Sequence, residues 1–94
     1  MADVLMYCTA SCPYCHAAER LLLHKGVTSL RKIRTDLAQG SREEMMRLSG
    51  RRTVPQIWIG ERHIGGCDDL HELERTGELD ALLRTQEPPP SKEK

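Results

Sequence analysis

The chain has 94 residues, 38% hydrophobic and 30% charged, with no Phe, so it makes at most one small domain around an aliphatic core. Fourteen Lys and Arg balance fourteen Asp and Glu, which excludes the basic footprint of a nucleic-acid binder, and the length excludes a large multi-layer enzyme. The balance is not local: residues 1–62 hold ten basic and six acidic side chains and residues 63–94 hold four and eight, a +4 half followed by a −4 half. Met1-Ala2-Asp3 precedes only five apolar residues, Val4 to Cys8, too short and wrongly charged for an export signal. No stretch reaches the ~20 apolar residues of a membrane span. The expected home is the reducing cytoplasm, where cysteines serve as metal ligands or redox catalysts more than as staples. Four cysteines in so small a chain are therefore its unusual feature.

Val4 to Cys8 is a short continuous apolar run and reads as a strand buried on both faces. Thr9-Ala10-Ser11 turns the chain, and Pro13 stands where a helix can begin. Ala17, Ala18, Leu21 and Leu22 then recur at helical spacing until Lys25-Gly26. Residues 29–34 form a more polar strand suited to a sheet edge. Ser41 and Glu44 have capping-box spacing ahead of a helix that carries Met45 and Leu48 and stops at Gly50. Pro55 to Ile59 reads as a strand with proline at its first position, and Gly60-Glu61 turns it into Arg62-His63-Ile64. After Gly65-Gly66, Asp68 or Asp69 caps a helix bearing Leu70 and Leu73, and Leu79, Leu82 and Leu83 mark a last helical stretch. The proline-rich residues 87–94 read as a disordered tail behind a domain over residues 1–86. The order β-α-β-α-β-β-α-α is α/β, a mixed sheet flanked by helices.

The segment from Cys8 to His16 satisfies several motifs at once. Cys12-x-x-Cys15-His16 matches a haem attachment site, but that chemistry belongs to an exported chain with a pocket for a macrocycle. Cys8, Cys12 and Cys15 mimic the cluster spacing of radical S-adenosylmethionine enzymes, whose barrels are far longer. Adding Cys67 gives four thiolates for zinc or an iron–sulfur cluster, although Cys67 stands alone in sequence. Two cysteines merely packed in a core is the plainest alternative. Local physics favours a thiol–disulfide site. A helix that starts at Pro13 places Cys12 at its N-cap, where its sulfur faces the unpaired amides of the first turn, that of Cys15 included. Those donors and the helix dipole stabilise a thiolate. Cys15, one turn on and inward, is near enough to close a labile disulfide.

Cys12-Pro13-Tyr14-Cys15, Thr53-Val54-Pro55 and Gly65-Gly66-Cys67-Asp68-Asp69 resemble, in order and spacing, the signature segments of small bacterial dithiol glutaredoxins over residues 3–85. The resemblance implies a thioredoxin-like three-layer sandwich with a four-stranded mixed sheet. It implies Cys12 and Cys15 as the redox pair, a cis Val54-Pro55 bond facing Cys12, and a glutathione site. Glutathione would be the co-substrate, with no bound cofactor or metal. The expected partners are glutathionylated or disulfide-containing proteins, met by a monomer that binds neither nucleic acid nor membrane.

Each segment has its own rationale. The residue before a proline is held extended, so Val54 can offer its backbone sideways to an extended peptide, as in strand addition. Gly65-Gly66 permits close backbone approach, and the helix start beyond offers amides to a carboxylate. The resemblance makes Gly66, Cys67, Asp68 and Asp69 the cradle of the γ-glutamyl end, with an aspartate taking its ammonium. Arg51 and Arg52, just before Thr53, are the cations expected at the glycyl carboxylate, and Tyr14 is expected to shape the groove. Two features depart from the family pattern: Thr9 stands where many members carry Lys, and Cys8 is no signature residue. Cys8 reads as a buried strand cysteine or as a regulatory third thiol. Cys67 reads as structural, with secondary glutathionylation as the sharper alternative. His16 reads as a solvated residue or one that tunes the site's electrostatics. Two other functions draw on the same residues: a related redoxin reduced by thioredoxin reductase, and an iron–sulfur or zinc binding module.

Overall fold

A computed structural model describes residues 2–84. It contains β1 (Val4–Cys8), α1 (Pro13–His24), β2 (Leu30–Arg34), α2 (Ser41–Ser49), β3 (Gln56–Ile59), β4 (Arg62–Gly65), α3 (Cys67–Thr76) and α4 (Glu78–Arg84), the expected order. The proline-rich segment 87–94 and the boundary at residue 86 lie outside the described residues.

The sheet order is β2-β1-β3-β4. β1 runs parallel to β2 and antiparallel to β3, which pairs antiparallel with β4. Parallel neighbours need a crossover, which α1 supplies, whereas β3 and β4 are joined by a tight turn. β1 is thus interior, and its unbroken apolar run reflects burial on both faces. β2 takes the edge, where Arg31 and Lys32 are exposed and discourage pairing with another chain.

Alternation along β1 sorts its side chains. Val4, Met6 and Cys8 join one buried cluster with Cys15, Ala18 and Leu22 of α1, Leu70 of α3, and Leu79 and Leu83 of α4. Tyr7 faces the other way, its hydroxyl donating to Glu44 Oε1 of α2 at 2.8 Å and its ring meeting Trp58 edge-on at 5.5 Å. Burial, helped by the Glu44 carboxylate, pushes the Tyr7 phenol up to about 12. The result is a sandwich of α1, α3 and α4, the sheet, and α2.

Two helix starts differ from expectation. Gly40, with φ 81°, is the N-cap of α2. Ser41 is the first helical residue, and its hydroxyl donates back to Ala38 O at 2.5 Å. Glu44 is not folded back on a cap because it serves the buried Tyr7 hydroxyl. α3 begins at Cys67 with Gly66 as N-cap, so neither aspartate is the cap. Asp69 instead accepts the Gly66 amide at 2.9 Å from inside the first turn, the reverse arm of a capping box.

Candidate active site

The N-terminus of α1 sets Cys12 and Cys15 one turn apart. Cys12 is its N-cap in extended backbone (φ −91°, ψ 112°), Pro13 follows at the start, and the first turn holds no acidic residue that would repel an anion at the cap. The Cys15 amide donates to Cys12 Sγ at 3.3 Å. Cys12 Sγ also lies 3.8 Å from Val54 O, which accepts its S–H. Cys12 is partly exposed, whereas Cys15 is 3% exposed. Burial first, and the neighbouring Cys12 sulfur next, push the Cys15 thiol up to about 12, against the Thr9 amide, which favours its thiolate. One sulfur meets solvent and accepts the Cys15 amide; the other is buried and held protonated one turn away.

Beside this turn lies a groove of about 310 Å³. Tyr14, Thr53, Val54 and Pro55 form one side, and Gly66, Cys67, Asp68 and Asp69, at the start of α3, form the other, with Arg51 between. Tyr14 is 63% exposed. The Val54-Pro55 bond is cis. Arg52 is exposed and does not line the groove.

Arg51 is not a free cation. Its guanidinium donates to Asp69 Oδ2 at 2.9 Å, the same oxygen that accepts the Gly66 amide. The Gly66 amide, then Arg51, hold the Asp69 carboxyl below the usual carboxylate range. Asp69 is therefore occupied, and exposed Asp68 is the groove's other carboxylate. Gly65 is fixed by this arrangement: its φ is +117°, and a Cβ there would come within 2.3 Å of Asp69 Oδ2.

Sequence reasoning missed Gln56. It is fully buried at the start of β3, and its amide nitrogen donates to Thr53 O at 3.0 Å and Thr53 Oγ1 at 3.3 Å. Its Oε1 accepts from His63 Nε2 at 2.8 Å, and burial lowers that imidazole's affinity for a proton. The Thr53–Pro55 stretch is thereby tied to the sheet. The available signal was a glutamine inside an otherwise apolar strand, since a buried amide must find partners.

The remaining singled-out residues fall elsewhere. His16 is exposed, with Nε2 3.0 Å from Ala10 O, so it braces the loop before Cys12. Cys67 is 8% exposed, with its sulfur 3.3 Å from His71 Nδ1. Among the described residues no three His, Cys, Asp or Glu side chains gather as a metal site would need, and no helix is long and apolar enough to cross a membrane.

The family model described as Glutaredoxin matches residues 4–64. The chain belongs to the glutaredoxin family. It is 57% identical over 83 residues to a glutaredoxin of Pseudomonas aeruginosa, an alignment covering 88% of this chain and 98% of that one. The solution structure of a glutaredoxin from Brucella melitensis superposes with a TM-score of 0.79 at 48% identity, covering 90% and 91% of the two chains. A buckwheat glutaredoxin–glutathione complex superposes with a TM-score of 0.81 at 29% identity, covering 88% and 77%. The fold is thus thioredoxin-like, and the chain is a thiol–disulfide oxidoreductase of the glutaredoxin family.

Proposed function

We propose that this glutaredoxin reduces glutathionylated substrates through Cys12 alone and protein disulfides through Cys12 with Cys15, using glutathione as reductant. The observation that carries this reading is the division between the two sulfurs: Cys12 Sγ accepts the Cys15 amide at the mouth of the groove, while Cys15 is buried and protonated. The Cys12 thiolate attacks the glutathione sulfur of a mixed disulfide, that S–S bond breaks, and the substrate leaves as its thiolate. A second glutathione thiolate then attacks the glutathionyl sulfur on Cys12, forming glutathione disulfide and returning the Cys12 thiolate. With a protein disulfide, Cys15 gives up its proton and attacks Cys12 Sγ, closing Cys12–Cys15 and expelling the substrate thiol.

In this reading the tripeptide lies in the groove as an added strand against Val54, over Pro55 and beside Tyr14 and Thr53. Its γ-glutamyl carboxylate meets the α3 amides around Gly66 and Cys67, and its ammonium meets Asp68. Arg51, anchored by Asp69, supplies the cation for a carboxylate; Arg52 contributes only to the surrounding field. The enzyme works as a monomer in a reducing cytoplasm, without metal or bound cofactor.

A glutathione-coupled assay tests this on the wild type, Cys12→Ser and Cys15→Ser. With a glutathionylated peptide, Cys12→Ser is expected to lose activity by on the order of a thousandfold or more, and Cys15→Ser to stay within a few-fold of wild type. With a protein disulfide, both variants fail. Full activity in Cys12→Ser would sink the mechanism.

A further inference from the structure

The catalytic scheme leaves Cys8 without a use, yet the fold sets it beside the resolving cysteine. Cys8 is the last residue of β1 and is 4% exposed. Strand alternation turns it, with Val4 and Met6, to the face covered by α1, and it shares one buried cluster with Cys15. The Thr9 amide interacts with the Cys15 sulfur, which brings that sulfur to the peptide that begins at Cys8. Both thiols line a cavity of about 350 Å³ that lies behind the α1 turn, separate from the groove. Lys32, Arg34, His16 and Glu19 line it too. Among the described residues the Cys8 thiol makes no hydrogen bond.

We propose that Cys8 is a second resolving thiol, which exchanges with the closed Cys12–Cys15 disulfide to give Cys8–Cys15 and set Cys12 free. The proposal rests on the reading that Cys12 and Cys15 close a disulfide. Cys8 loses its proton to water, and its sulfur attacks Cys15 Sγ. The Cys8–Cys15 bond forms, the Cys12–Cys15 bond breaks, and Cys12 leaves as a thiolate. One disulfide exists before and after, so no oxidant or reductant is consumed. The direction of attack suits the leaving group, because the departing Cys12 Sγ has the Cys15 amide as a donor at 3.3 Å, and a leaving sulfur that is met by a donor departs more readily. The consequence is functional: an oxidised molecule stores its disulfide in the rear cavity while its nucleophile remains available for glutathionylated substrates.

The exchange depends on pH. Burial raises the Cys8 thiol, and Glu19 and Asp36 add to this, while Lys32 and Arg34 oppose it. Both cations are partly engaged, Lys32 with Glu19 at 2.9 Å and Arg34 with Asp36 at 2.7 Å, so burial prevails. Exchange is therefore slow at neutral pH and accelerates as Cys8 ionises in alkali.

Disulfide mapping of the wild-type protein decides the matter without a folding variant. Reduced protein is oxidised with one equivalent of glutathione disulfide, freed of glutathione, and incubated at pH values from about 7 to 9. It is then quenched in acid and alkylated with N-ethylmaleimide in denaturant. Chymotrypsin, cutting after Tyr7 and Tyr14, leaves a peptide with Cys8 and Cys12 linked to one that starts at Cys15. Tandem mass spectrometry then shows which cysteine carries the maleimide. Maleimide on Cys12 in roughly a tenth or more of the molecules, rising several-fold across this pH range, is the expected result. A Cys8→Thr variant is expected to show none on Cys12. Maleimide on Cys8 alone at every pH overturns the exchange while leaving the Cys12–Cys15 chemistry intact. Absence of any link between the two peptides overturns both.

Discussion

The two sides of the first turn of α1 are built from the same residue type and do opposite things. On the groove side, Cys12 is partly exposed, accepts an amide, and faces Val54 and the start of α3. Behind it, Cys15 and Cys8 sit at 3% and 4% exposure in the cluster that joins the sheet to α1. One helical turn separates a sulfur that meets solvent and accepts the Cys15 amide from one that is buried. A thiolate needs donors or charge nearby, and burial without them favours the thiol. The side of the turn that a sulfur occupies sets its exposure and its hydrogen-bond partners.

The largest test of that contrast removes the front sulfur and titrates the rear one. In Cys12→Ser, alkylation of Cys15 by iodoacetamide near pH 8 is expected to be on the order of a thousandfold slower than for an ordinary exposed thiol, because burial, the leading cause of its shift towards about 12, remains. The rate should climb about tenfold per pH unit through the alkaline range. Ordinary reactivity at neutral pH would refute the burial of the Cys15 thiol.

Next in size, Leu22→Ala strips the rear side of its packing. Leu22 is fully buried against the sheet, so denaturant unfolding should show a loss of about 2–5 kcal/mol. The groove, formed by other residues, should keep its affinity for glutathione in whatever fraction stays folded.

Gly65→Ala probes the front. Positive φ and a collision with Asp69 should lower stability by about 1–3 kcal/mol. Displacing Asp69 disturbs the α3 end of the groove, so KM for glutathione should rise more than kcat falls.

The smallest effect belongs to Asp69→Asn, which keeps an acceptor for Gly66 but loses the charge facing Arg51. The carboxylate is half exposed, so at neutral pH the stability change should be about 1 kcal/mol or less. The folded carboxyl lies below its ordinary value, so its contribution is full above the unfolded carboxyl's titration near pH 4 and fades as acid protonates it in the fold. Thermal melts between about pH 6 and 3 should therefore be less steep in pH for the variant. An unchanged slope would mean that neither the Gly66 amide nor Arg51 holds the Asp69 carboxylate in solution.

The overall balance of charge changes meaning in the same way. In sequence, a basic half precedes an acidic half, and the pair suggests a grip on a zwitterionic ligand. In the fold much of it is internal: Lys25 of the first half bridges Glu74 and Asp80 of the second, at 2.9 and 2.8 Å, and Arg51 bridges Asp69. The halves hold each other, and Asp68 with what remains of Arg51 faces the groove.

The sequence by itself determined the element order, the interior place of β1, the N-cap position of Cys12 and the nearness of Cys15, because each rests on local rules: apolar continuity, a proline at a helix start, and the pitch of one turn. It could not assign the caps of α2 and α3, since Ser41, Glu44 and Asp69 chose between local and distant partners. Tyr7 and Arg51, far off in sequence, decided that choice. Nor could it distinguish Arg51 from Arg52, give Gln56 a task, or set Cys8 beside Cys15. Each of those depends on which face of a strand or loop meets which neighbour, and only the closing of the sheet against its helices fixes that.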